Sequence, residues 1–188
     1  LKNAGEEDRF LMGFEESYGY LVGTHARDKD AIVATMLCVE MASYYAQKGM
    51  DLYEAMDALY KEYGYYLNGV VNVSFPGAAG ADKMSAIMSG LRQNPPTQIA
   101  SMPVKGFVDY KTDVQMTVTG GDGSCPAQLL PKSNVLEFQL DEGVKVIVRP
   151  SGTEPKIKAY LFSKGETREE SQALNDKLAE VAKTELLA

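Results

Sequence analysis

From Val104 to Phe162 the sequence breaks into segments with a period of two. Lys105 to Tyr110, Asp113 to Thr119, Val135 to Leu140, Val144 to Arg149 and Ile157 to Phe162 each alternate in this way, which is the period of a strand that buries one face. Gly-rich or Pro-containing turns separate the segments. A sheet with one apolar face needs a cover, and the chain supplies one. Thr167 and Glu170 have capping-box spacing, and Leu174, Leu178, Val181 and Leu186 form the apolar stripe of a closing helix.

Upstream the period is helical. Ala31 to Gln47 is apolar on nearly every face, which predicts a helix buried on several sides, with Gly49 as its stop. Asp51 and Glu54 open a second helix with Leu52, Ala55, Met56, Leu59 and Tyr63 on its apolar side, ending at Gly64. Val71, Val73 and Phe75 then read as a strand, and Met84, Ile87, Met88 and Leu91 as a short helix ending near Pro95 and Pro96. The order helix, helix, strand, helix, then several strands and a helix predicts a division near Asn68 and Gly69, with residues 1–69 before it and an α+β domain over 70–188. Gly64 to Gly69 is also where a hinge is expected.

At 188 residues, 45% hydrophobic and 24% charged, the chain has the balance of a folded globular protein. Its net charge of −7 excludes the broad basic surface that nucleic-acid binding requires, so any anion site must be local. Cys38 and Cys125 match no metal spacing and form no disulfide framework; they read as reduced thiols of a cytoplasmic protein. The longest apolar run, Ala31 to Ala42, is interrupted by Glu40 and is shorter than the roughly 20 residues of a membrane span. No signal peptide is visible, and a chain opening on Leu1 with a dense motif close behind is expected to be cut from something longer.

That motif has a partner near the other end. The connection between the last two strands, Arg149 to Lys158 (RPSGTEPKIK), carries three cations against the one carboxylate of Glu154. Arg149 offers a planar fork of donors, Lys158 a point charge, and Ser151 and Thr153 hydroxyls. Gly152 lets backbone N–H groups approach an oxyanion, and Pro150 and Pro155 stiffen the ends. These residues fit a phosphate-binding loop. They fit equally an ordinary Ser-Gly turn whose lysines alternate with Ile157 and Ala159 along a solvated strand face.

The first motif, Gly13 to Asp30 (GFEESYGYLVGTHARDKD), gathers carboxylates, a serine, three glycines and the only histidine into one segment. Glu15 and Ser17 could exchange hydrogen bonds with sugar hydroxyls, and His25 and Lys29 could meet a phosphate or move a proton. A solvated acidic turn and a surface histidine account for the same residues. Gly120 to Gly123 with Asp122 reads as a hairpin connection rather than a metal site.

Taken together, GFEESYGY and RPSGTEPKIKAY resemble the two signature loops of the α-D-phosphohexomutase family, most closely its phosphoglucomutase members. Both motifs are long, and they stand in the family's order. The resemblance implies an α+β C-terminal sheet-plus-helix domain, TATA-box-binding-protein-like as in phosphohexomutase domain 4, preceded by a helical remnant of the α/β domain 3. It places Glu15 and Ser17 on positions that bind sugar hydroxyls, with His25 and Lys29 lining the site nearby. Arg149, Ser151, Gly152 and Thr153 fall on the loop that grips the substrate phosphate. Lys158 stands where many members have Arg, which keeps the charge but loses the fork.

The resemblance also implies an activity: interconversion of glucose 1-phosphate and glucose 6-phosphate through a phosphoserine and a glucose 1,6-bisphosphate intermediate, assisted by Mg²⁺. Neither the Ser-His-Asn-Pro segment of the phosphoserine nor the Asp-Gly-Asp-x-Asp metal loop occurs in these residues. The chain is therefore expected to supply sugar and phosphate binding, to hold no catalytic or metal residue of its own, and to have no turnover without the rest of the mutase. Its expected partners are a hexose phosphate and those other domains, not nucleic acid or membrane. Mannose- or pentose-phosphate specificity and a non-catalytic phosphosugar-binding module remain alternatives.

Overall fold

The computed structural model describes residues 5–15, 18–112, 114–117, 132–141, 143–152 and 154–188. They form two compact units, Leu1–Glu62 and Tyr63–Ala188, each described by itself.

The first unit opens with a 3-10 turn at Glu7–Arg9 and a two-stranded antiparallel hairpin, β1 (Met12–Phe14) and β2 (Tyr20–Val22). Two helices follow, α1 (Ala31–Gln47) and α2 (Leu52–Tyr63). The Asp30 carboxylate accepts from the backbone N–H of Ile32 and Val33 and so fixes the start of α1. Gly49, at φ 73, follows its end. The capping box of α2 forms as its spacing requires: Glu54 N–H donates to Asp51 Oδ1 at 2.8 Å, and Asp51 N–H to Glu54 Oε2 at 2.9 Å.

The expected burial of α1 does not occur within this chain. None of its residues is buried, and Ile32, Met36 and Val39 lie well exposed. The reason is size. A helix of 17 residues is about 25 Å long, whereas the hairpin beside it has strands of only three residues, about 10 Å each.

The second unit is a six-stranded sheet backed by two helices. Strand β3 (Tyr65–Ser74) leads to α3 (Gly80–Gln93) and a two-residue hairpin, β4 (Gln98–Ile99) with β5 (Met102–Pro103). Then come β6 (Gly106–Asp109), β7 (Val114–Thr117), β8 (Leu136–Gln139), β9 (Lys145–Pro150), β10 (Lys156–Gly165) and α4 (Arg168–Val181), which runs on as a π-helical turn at Ala182–Leu186. All pairings in the order β3-β10-β9-β8-β6-β7 are antiparallel. The Gly120–Gly123 turn and Cys125 lie outside the described residues.

Alternation along these strands separates two faces. Phe107, Phe138, Val146 and Leu161 oppose one another across four strands, as do Leu136, Val148, Ala159 and Val71. All are buried, and they pack with Met88 of α3 and Leu178 of α4 into one core. Each such side chain stabilises the fold by about 1.5–3 kcal/mol if fully buried. Leu178 and Leu186 of the predicted stripe are buried, and Leu174 and Val181 pack against the same core. Thr167 caps α4 through Glu170 N–H at 3.2 Å, while the Glu170 carboxylate accepts from Glu166 N–H at 3.0 Å.

The division expected at Asn68–Gly69 falls inside β3, whose ten residues all pair with β10; the compact units meet instead between Glu62 and Tyr63. Gly64, at φ 98, stands at that junction. Gly69 is in mid-strand for another reason: a Cβ there would overlap Asn175 Oδ1 of α4. Asn175 donates to Ser163 Oγ at 3.0 Å, close to a Ser163–Ser171 hydroxyl pair at 3.1 Å. Gly69 therefore makes room for a buried polar cluster. The β4–β5 hairpin turns through Ala100 (φ 52) and Ser101 (φ 67), residues that rarely adopt that conformation, so the sequence does not announce it.

Candidate functional site

The phosphate-loop candidates lie at the end of the central ladder. Arg149 and Lys158 are direct cross-strand partners in β9 and β10. Their neighbours Val148, Ile157 and Ala159 are fully buried on the face covered by the helices, so the two cations share the opposite face. Like charges placed opposite each other on a sheet cost stability unless something anionic lies between them. Among the described residues none pairs with the Arg149 guanidinium, and Arg149 is exposed.

The connection between the strands is tied at its base. Ser151 N–H donates to Lys156 C=O at 2.8 Å, and Glu154 N–H donates to Ser151 Oγ at 3.3 Å. Lys156 forms an ion pair with Glu154. The hydrogen bond from Lys156, its charge and that of Lys158 hold the Glu154 carboxyl below its ordinary range. A Cβ at Gly152 would meet nothing within 4 Å, and Gly152 is not among the glycines with positive φ. The turn itself does not demand glycine, and the space beside Gly152 is open. Thr153 lies outside the described residues.

The hydroxyl-loop candidates sit on the first unit's hairpin. Glu15 N–H donates to Gly19 C=O at 2.9 Å and closes the turn, and Tyr18 adopts φ 65 with its ring outward. Lys29 Nζ lies 3.5 Å from Glu15 Oε2 and 2.9 Å from Asp28 Oδ1, and the Asp28 contact followed by the Glu15 charge raises the Lys29 pKa. A Cβ at Gly19 would strike Lys29 Cγ at 2.5 Å and Glu15 Oε1 at 2.8 Å, so this glycine lets Lys29 cross the turn to Glu15. Ser17 lies outside the described residues.

His25 pairs with Asp30. Its Nε2 is 2.9 Å from Asp30 Oδ2, and the other oxygen of Asp30 caps α1. The bond to His25, then those from Val33 and Ile32, lowers the Asp30 pKa. Sequence reasoning passed over Asp28 and Asp30; the Asp immediately before an apolar helical run is the signal that marks Asp30 as a cap. Glu15 with Lys29, and Arg149 with Ser151, Gly152 and Lys158, are the groupings that form, each within its own unit.

Among the described residues no group of three His, Cys, Asp or Glu side chains could hold a metal ion. No helix is long and apolar enough to cross a membrane, among the residues described.

Comparison with known proteins finds family models over both units. Residues 1–63 match the family model described as phosphoglucomutase/phosphomannomutase, alpha/beta/alpha domain III, and residues 107–181 match its C-terminal domain. A phosphoglucomutase of Staphylococcus haemolyticus is 35% identical over 161 residues, covering 86% of this chain and 29% of that protein. A phosphoglucomutase of Staphylococcus aureus is 35% identical over 165 residues, covering 87% and 29%, and a probable phosphomannomutase of Haemophilus influenzae is 35% identical over 167 residues, covering 88% and 30%. The chain thus spans under a third of the length of these relatives. With family models matching both of its units in sequence order, the chain belongs to the phosphoglucomutase/phosphomannomutase family.

Proposed function

We propose that this chain is the substrate-gripping C-terminal portion of a cytoplasmic phosphohexomutase that interconverts glucose 1-phosphate and glucose 6-phosphate through a phosphoserine and a glucose 1,6-bisphosphate intermediate. The observation that carries the reading is the Arg149–Lys158 pair facing outward across one ladder, beside the Ser151–Gly152 turn. Two cations held side by side with hydroxyl and backbone donors nearby fit a dianionic phosphate, and relatives named phosphoglucomutase share the family.

In this reading Arg149, Ser151, Gly152, Thr153 and Lys158 hold the phosphate that is not reacting. Binding energy at the remote end then positions the reacting end. Glu15 and Ser17 exchange hydrogen bonds with sugar hydroxyls, and Lys29, 3.5 Å from Glu15 Oε2, orients the Glu15 carboxylate. Phosphoryl transfer and Mg²⁺ binding fall to the rest of the mutase, for which the exposed apolar face of α1 is the docking surface.

The test is titration of the 188-residue chain with glucose 1,6-bisphosphate, followed by calorimetry and by thermal stability. Binding raises the melting temperature as concentration passes Kd. Arg149→Ala removes one charge-assisted grip, about 1.5–3 kcal/mol, and weakens binding about 10- to 150-fold. Unchanged affinity in that variant would sink the assignment. Isomerisation of glucose 1-phosphate by the chain alone would show that the catalytic machinery is not elsewhere.

A further inference from the structure

On the helix side of the sheet, at the same end as the phosphate loop, a cavity of about 420 Å³ opens between α3 and the end of β9. Ser85, Ser89 and Arg92 of α3 line it with Lys111, Asn134 and Ser151. Neither Arg149 nor Lys158 does, because both project from the other face of the sheet. The cavity falls within the size range of small-molecule sites.

Its chemistry is one-sided. The lining offers the Lys111 ammonium, the Arg92 guanidinium and the hydroxyls of Ser85, Ser89 and Ser151, and among the described residues no carboxylate lines it. Asp109, the acid that Arg92 contacts, is buried and taken up by Arg92 Nε at 3.1 Å, Thr112 Oγ1 at 2.6 Å and Lys111 N–H at 3.0 Å. The Asn134 side-chain oxygen is taken up by Arg92 Nη2. The Lys111 ammonium forms no ion pair among the described residues, and in a chain of net charge −7 that leaves a donor-rich recess with local positive charge.

We propose that this cavity is a second oxyanion site, behind the phosphate loop, which takes inorganic phosphate or the phosphate of a small phosphomonoester. Arg92 is held rigid by Asp109 and Asn134 and presents its remaining N–H groups; Lys111 supplies the charge and the serines the flanking donors. The two sites share Ser151, whose backbone and hydroxyl also tie the loop. An anion in the rear cavity therefore competes for Ser151 with one at the front. That coupling rests on the proposed role of the loop; the existence of the rear site does not.

The test uses inorganic phosphate, and glucose 6-phosphate in a parallel arm, titrated into the ¹⁵N-labelled 188-residue chain while backbone amide shifts are followed. Wild type is expected to show saturating shifts at Ser85, Lys111 and Asn134. Lys111→Met weakens them at least tenfold, one charge-assisted contact, and Ser85→Ala weakens them less. Arg149→Ala leaves them intact while removing shifts at the front of the loop. Lys111 is exposed, and a dispersed spectrum of its variant confirms folding. Rear shifts with inorganic phosphate alone assign a free-ion site, and shifts with both ligands assign a phosphomonoester site. No shift at about 10 mM, about 2.7 kcal/mol of binding, overturns the proposal, as do rear shifts that survive Lys111→Met or vanish with Arg149→Ala. Failure of the proposed function would appear separately, as front-loop shifts insensitive to Arg149→Ala.

Discussion

Asp109 is a buried carboxylate that braces the second unit's interior. It is 3% exposed and ends β6, where its carboxylate accepts from Arg92 Nε at 3.1 Å, Thr112 Oγ1 at 2.6 Å and Lys111 N–H at 3.0 Å. Asp109→Ala removes all three bonds. Thr112 and the segment at Lys111 are exposed and turn to water, so little is lost with them beyond about 1 kcal/mol in total. The Arg92 side chain is only 18% exposed, and its charged bond is worth about 1.5–3 kcal/mol. The sum is about 3 kcal/mol, the low end for breaking a buried ion pair, because Arg92 keeps Asn134 and the Met88 carbonyl.

With a urea slope of about 2 kcal/mol/M, that loss lowers the unfolding midpoint by about 1.5 M at pH 7, read by far-UV circular dichroism. Burial works to raise the Asp109 pKa, but the bonds from Thr112, Lys111 and Arg92 outweigh it and leave the pKa lowered. A carboxyl depressed by folding contributes above its unfolded value, about 3.9, and loses that contribution as pH falls through the folded value. Wild type and Asp109→Ala therefore converge as pH drops below about 4. Equal midpoints at pH 7, or a gap that persists unchanged in acid, would refute this account of the brace.

Two further outcomes follow from close contacts. Gly69→Ala drives a Cβ into Asn175 and costs about 1–3 kcal/mol, a Tm lower by roughly 5–10 °C; adding Asn175→Ala should recover part of it, and strict additivity of the two would show that they do not meet. Asp30→Ala removes the α1 cap, seen as lost helicity at pH 7, and because the Asp30 carboxyl is depressed the difference disappears as pH falls below about 4.

Much of the secondary structure was legible because its signals are local. The bounds of α1, the capping box at Asp51 and Glu54, and the Thr167 cap all emerge from a few consecutive residues. The strands of the sheet emerged from alternation, although β3 begins at Tyr65, well before the alternating Val71 and Val73. Its early part is strand because β10 pairs with every residue of it, and a cross-strand partner is invisible in the strand's own sequence. The β4–β5 turn was missed because Ala100 and Ser101 carry none of the usual turn chemistry.

For the candidate site, residue types in the RPSGTEPKIK and GFEESYGY motifs marked where an anion and a sugar could be held, and their joint resemblance named the family. Spacing alone could not choose between a phosphate loop and a solvated turn, because Lys158 alternates with buried residues in either case. Tertiary structure decided that Arg149 and Lys158 are partners on the uncovered face, that Asp30 takes up His25, and that Arg92, Lys111 and Ser85 surround one recess. The recess joins residues far apart in sequence through strand register and helix packing, which no local pattern encodes. Burial is decided in the same way. The sequence determines that α1 is apolar on nearly every face, but whether those side chains leave water depends on what packs against them, and here the short hairpin is too small to cover them.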